Sequence, residues 1–222
     1  MQKLGQTSKT DSGCARSRGR PRSFDREAAL AQATRLFWSK GFEATSISDL
    51  TEAMGIGAPS LYAAFGSKEA LYVEALHHYV ASYERFSWAR FEAAATVREA
   101  VESYLLDSAA ALTGSFEDVP HGCMVTLASV CGEGHAELAE LVRSERAAPF
   151  DRLKTRLSRA VAEGELPASV DIHALACFVQ TVQSGMSILA RDGTSCAELE
   201  AVAQTAMLGW DARTVGRDNA ST

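Results

Sequence analysis

Apolar positions recur at helical spacing along most of this chain. Ile47, Leu50 and Met54 fall at i, i+3 and i+7, and Ser46-Ile47-Ser48-Asp49 has the form of a capping box, so a short helix opens after Ser46. Gly55 suits a left-handed stop behind Met54. Leu61 and Phe65 form the next apolar pair, with Pro59 in the first turn, where a missing N–H is tolerated, and Gly66 at the end. Ser67 then caps a longer helix carrying Tyr72, Leu76, Tyr79 and Tyr83. Upstream, Asp25 is an N-cap for a helix with Leu30, Ala33 and Phe37 as its buried stripe, ending near Lys40 before Gly41. Trp38 and Phe42 read as core.

The second half keeps the period with less punctuation. Val97, Val101, Tyr104 and Leu105 predict a helix that ends at Gly114, followed by a break through Gly122 and a short apolar piece from Cys123 to Val130. A long helix is expected from about Ala136 to Glu163, kinked or interrupted at Pro149. Ile172, Leu175, Val179, Val182, Met186 and Leu189 follow at spacings of 3, 4, 3, 4 and 3, an a/d seam. Leu199, Val202, Ala206 and Trp210 continue it on the last helix. Alternating β-branched runs are scarce, so the expected fold is all-α.

Composition adds a polarity to this picture. The 222 residues, 46% apolar and 23% charged, suit a globular protein with ample core. The net charge of −6 is uneven: residues 1–24 carry net +5, and the remaining 198 carry −11. A basic, Gly/Ser-rich segment, expected to be disordered, thus precedes an acidic body, and can attract phosphates that the body repels. The opening residues lack an apolar signal core and no unbroken apolar run of about 18 residues occurs. The expectation is a cytoplasmic protein with reduced thiols and no membrane partner.

Helix, glycine-containing turn and short helix form the layout of a DNA-binding helix-turn-helix. Pro59-x-Leu61-Tyr62, Phe65 and Ser67-Lys68-Glu69-Ala70-Leu71, with Thr45, Ser46 and Gly55-Ile56 before them, resemble the recognition helix and the following helix entry of TetR/AcrR-type repressors. The resemblance covers about residues 24–80. It implies a helix-turn-helix domain over 24–70 and a helical effector-binding and dimerisation domain over 71–213, between a basic arm (1–23) and a disordered tail (214–222). The implied function is transcriptional regulation, by family habit repression, with release from a palindromic operator when a small-molecule effector binds. The implied partners are double-stranded DNA, a second copy and that effector; no cofactor is implied.

Carried over by position, the resemblance places Ser46 and Ser48 at phosphate or base, and Gly57, Ala58, Pro59 and Ser60 at the groove-facing end of the recognition helix. Tyr62 and Lys68 resemble phosphate contacts, and Arg20 and Arg22 an arm reaching the minor groove. The chain departs from a rich reading surface: no Arg, Gln or Asn lies between Gly55 and Gly66, so bidentate contacts to guanine or adenine are absent there. Thymine methyls, serine hydroxyls, the arm and DNA shape are left to carry specificity.

In the body, Val179, Val182, Met186, Leu189, Val202, Ala206 and Trp210 are the expected dimer interface. Phe116, Met124, Phe150 and Phe178 are the candidate effector pocket. His121, Cys123, Cys131 and His135 form a candidate soft-metal set, H-x-C-x7-C-x3-H, matching no standard zinc spacing. The alternatives are therefore a metal- or thiol-responsive regulator of the same fold, or a helical adaptor that never touches DNA. No hydrolase, zinc-protease, phosphate-loop or dinucleotide motif occurs, and an enzyme is not expected.

Overall fold

The computed structural model describes residues 24–83, 85–115, 119–129 and 135–214. These residues form ten helices: α1 (Arg26–Lys40), α2 (Ile47–Met54), α3 (Ala58–Phe65), α4 (Lys68–Tyr83), α5 (Arg85–Ala93), α6 (Val97–Leu112), α7 (Met124–Leu127), α8 (Ala136–Ala162), α9 (Ile172–Arg191) and α10 (Cys196–Thr214). No strand occurs among them, as the scarcity of alternating patterns requires.

The helix starts follow local chemistry. The Asp25 carboxylate accepts from the N–H groups of Glu27 and Ala28, and Thr96 with Glu99 forms a second capping box at α6. Along α1 the buried stripe is Ala29, Ala33, Thr34, Phe37 and Trp38, with Leu30 only half-buried. Helix α5 has no counterpart among the sequence expectations; its Trp88 and Phe91 are nevertheless buried, and Trp88 stacks on Tyr104 at 4.3 Å.

Two apolar cores result. The head core joins Phe37, Trp38, Phe42, Leu50, Leu61 and Phe65 to Leu71, Tyr72, Leu76 and Tyr79 of α4, and extends to Met124 on α7 and Leu138 and Val142 on α8. Helix α4 thereby seals the head. The body core gathers α5, α6, α9, α10 and the second half of α8 around Leu105, Leu157, Val179 and Trp210. Helix α8 runs unbroken through Pro149, contrary to an interruption there. Proline removes one ladder bond, but Val142 on one side is anchored in the head core and Leu153 on the other in the body core.

The a/d seam mostly faces inward. Val179, Met186, Ala206 and Trp210 are buried in the chain's own core; Val182 is half-buried, and Leu189 and Val202 are exposed. A second apolar face stands outside: Phe178, Ile188 and Leu189 on α9, with Val202 and the 70%-exposed Leu208 on α10. By length and composition α9 is apolar enough to cross a membrane, with mean hydropathy 1.3 although only 33% of that stretch is buried. Its unbroken apolar runs are short because Gln180, Gln183, Ser184 and Ser187 interrupt them on one stripe.

Candidate nucleic-acid interface and its link to the body

Helices α2 and α3 are fixed by their ends. Ser46 Oγ accepts from Asp49 N–H at 3.0 Å, while the Asp49 carboxylate accepts from Ser46 N–H at 2.9 Å and from its hydroxyl at 2.8 Å. Lys40 Nζ adds an ion pair at 3.1 Å, tying the end of α1 to the start of α2. Donation from the Ser46 backbone and side chain, then from Lys40, lowers the Asp49 pKa to about 2. The Ser46 hydroxyl proton is committed to the cap.

Between the helices Gly55 takes φ 65° and ψ 29°, and Ile56 N–H returns to Thr51 O at 3.1 Å. Leu61 and Phe65 then sink into the head core at 0% and 4% exposure. Their burial turns the opposite face of α3 outward: Gly57, Pro59, Ser60, Tyr62 and Ala63 are exposed, with Ala58 half-buried. Ser46 and Ser48 are exposed on the adjoining end of α2. Tyr62, 47% exposed, is a surface residue and not a core tyrosine. Lys68 lies over the Phe42 ring at 4.3 Å, at the mouth of α4. Arg20 and Arg22 fall outside the described residues.

The body grips the end of α1 through a short strip. Trp38 Nε1 donates to Gly122 O at 2.8 Å. Arg191, at the end of α9, donates to His121 O at 2.7 Å, to Trp38 O at 2.8 Å and to Ser39 O at 3.1 Å. Its cation thereby meets the free carbonyls of the last turn of α1, the favourable end of that helix's dipole. Gly122 N–H donates to Leu112 O at 2.8 Å, and Cys123 N–H to Ser187 Oγ at 2.8 Å.

A cavity of about 50 Å³ opens beside this strip, walled by Trp38, Tyr79, Tyr83, Leu112, Gly122 and Gln183. It shares Ser87, Cys123 and Gln183 with a larger groove of about 400 Å³ that runs to Tyr104, Arg146 and Gln180. No carboxylate lines either space among the described residues. Arg146 is occupied by the carbonyls of Val125, Thr126 and Ala128. Gln180 Oε1 is buried without a partner.

Of the four aromatic and apolar residues singled out for a pocket, the three that are described do not converge. Met124 is packed in the head core, Phe150 lies against His173 with ring centroids 5.3 Å apart, Phe178 borders a surface groove near Gly209, and Phe116 is outside the described residues. Nor do the described members of the metal set come together. His121 is exposed, the His135 ring stands 5.0 Å from Phe42, and Cys131 is outside the described residues. Among those described, no three His, Cys, Asp or Glu side chains could hold an ion. Cys123 is a free, half-buried thiol that caps α7 through Thr126 N–H.

Compared with known proteins, residues 29–75 match the bacterial regulatory proteins of the tetR family. The chain is 40% identical over 199 residues to the HTH-type transcriptional repressor ComR of Escherichia coli (strain K12), spanning 88% of this chain and 93% of ComR. It is 52% identical over 62 residues to the repressor BdcR of the same strain, 28% of this chain and 32% of BdcR. A cysteine mutant of the TetR family transcriptional regulator CifR, solved in complex with 26-bp double-strand operator DNA, superimposes with a TM-score of 0.80. That match has 39% identity and covers 86% of this chain and all of CifR's.

Proposed function

The chain belongs to the TetR family of bacterial regulatory proteins, and from that premise we infer that it is a transcriptional repressor that binds double-stranded operator DNA. It is not an enzyme. The observation that carries the reading is the near-full-length likeness to CifR, whose structure holds operator DNA. The outward face of α3 supports it, because burial of Leu61 and Phe65 leaves Ala58, Pro59, Ser60 and Tyr62 to enter a major groove. Ser48 and Gly57 flank that contact, Lys68 and the N–H groups beside Ser46 meet phosphates, and Arg20 and Arg22 follow the neighbouring minor groove.

The working unit is a homodimer in the cytoplasm. The exposed apolar face of α9 and α10 is what a second copy covers, with Leu189 and Val202 from the seam joined by Phe178, Ile188 and Leu208. A small molecule without a cationic group, entering the cavities beside Gln183, is the effector, since no carboxylate among the described residues lines them and the Arg146 guanidinium, bonded to neutral carbonyls, keeps its charge at the groove. It acts through its differential affinity for the released state.

Selection of sequences from random double-stranded DNA, followed by fluorescence anisotropy at two salt concentrations, tests the reading. Enrichment of a palindrome and a steep log–log salt slope are expected. Equal binding to all sequences, or none at low salt, overturns it.

A further inference from the structure

Between Lys40 and Lys68 the chain holds no Lys, Arg, His, Asn or Gln. This stretch contains both α2 and α3, so the reading end of the head has neither a cationic side chain nor a side-chain amide. Its acids do not fill the gap: Asp49 is held in the cap, and exposed Glu43 and Glu52 repel phosphates. What α3 presents outward is apolar. Pro59, Tyr62 and Ala63 are exposed at i, i+3 and i+4, neighbours on one face of the helix, turned away from buried Leu61 and Phe65. Tyr62 is also, among the described residues, the one large exposed apolar side chain that stands off α9 and α10. Ser48 and Ser60 add hydroxyls, which pair with base donors and acceptors alike.

Resting on the reading of this face of α3 as the part that enters a major groove, we propose that Pro59, Ala63 and the Tyr62 ring recognise the operator through the C5-methyl groups of its pyrimidines, on thymine and 5-methylcytosine alike. The thymine C5-methyl is the apolar landmark of the major groove, and side chains without donors or acceptors distinguish bases there. A 5-methylcytosine carries the same methyl at the same place. It differs in the exocyclic group beside it, an amino donor where thymine has a carbonyl acceptor. Telling the two apart takes an amide, a guanidinium or a carboxylate aimed at that group, and α3 carries none. The contact removes two apolar surfaces from water and releases no counter-ion. Affinity and selectivity are thus divided along the chain: cationic side chains lie outside residues 41–67, and the groups that choose sequence lie inside them.

The test takes the operator that the wild-type chain selects from random duplexes and replaces thymine by deoxyuridine, one half-site position at a time. Anisotropy is read at two salt concentrations. Loss of a contacted methyl is expected to weaken binding about four-fold, by the same factor at both salts. Where such a position is rebuilt as a C·G pair, methylating the cytosine C5 is expected to strengthen binding by a similar factor. The methyl points into the major groove, so deoxyuridine leaves the minor-groove edge unchanged for the arm. In Pro59→Ser and Ala63→Ser the difference between thymine and deoxyuridine is expected to shrink; both positions are exposed, and a melting curve accompanies each variant. Deoxyuridine operators bound as tightly as thymine ones, or 5-methylcytosine bound no better than cytosine, overturn the proposal. So does a methyl effect undiminished in both variants, which would belong to duplex shape and not to α3. A wild-type chain that selects no operator brings down the DNA-binding reading itself, a separate result.

Discussion

Asp49 is a carboxylate whose charge is built into the head. Its pKa near 2, against an ordinary 3.8, means that the folded state favours the ionised form. The stabilisation is complete above the ordinary value and is lost as pH falls through about 2. A carboxyl titration followed by NMR should place its midpoint well below those of unpaired aspartates; a midpoint near 3.8 would show the cap to be open. Gly122 is a different kind of constraint. A side chain there meets both a left-handed backbone and the Ser187 carbonyl, so Gly122→Ala is expected to cost about 2 kcal/mol or more, read as a lowered urea midpoint. The first of these features is visible in the sequence, because a capping box is four consecutive residues. The second is not: Gly122 meets Ser187, from a distant helix, and that meeting leaves no local mark.

At the scale of elements, legibility follows the same rule. Helices α1 to α4 can be placed from caps and period alone, while α5 cannot, since a short helix with two buried aromatics carries too little pattern. The a/d seam correctly announces an apolar stripe, but period cannot say whether the chain's own core or another chain covers it. The cavity escapes a sequence reading because its walls come from α1, α4, α5, α6, α9 and a loop; the Gln180, Gln183, Ser184, Ser187 stripe on an apolar helix is the available signal. Two expected results belong here. Glu165, in the turn after α8, takes Nη1 of the nearly buried Arg156 at 3.0 Å and reaches Val97 at the start of α6. Glu165→Gln strands a buried cation and should destabilise the chain by about 3 kcal/mol in urea unfolding, with the DNA-facing surface untouched. Deleting residues 1–23 removes the basic arm from a head whose Lys40 and Arg26 are already paired. The salt slope of DNA binding should flatten by about 0.9 for every phosphate that the arm neutralises; an unchanged slope would place the neutralising charges elsewhere.

For the whole molecule, the outward apolar face of α9 and α10 is the feature with the widest reach. Leu208→Glu adds charge at a 70%-exposed position, so the helix content should survive while sedimentation shifts from dimer to monomer and operator affinity falls. A dimer still seen at micromolar concentration would move the interface off α10. If paired chains alone hold two heads at operator spacing, the bound form grows with the square of chain abundance where monomers predominate and the operator is far from saturated. Halving synthesis would then cut operator-bound protein about four-fold. A few exposed apolar side chains on α9 and α10 would thus set how sharply a cell's gene dosage is translated into silence or expression.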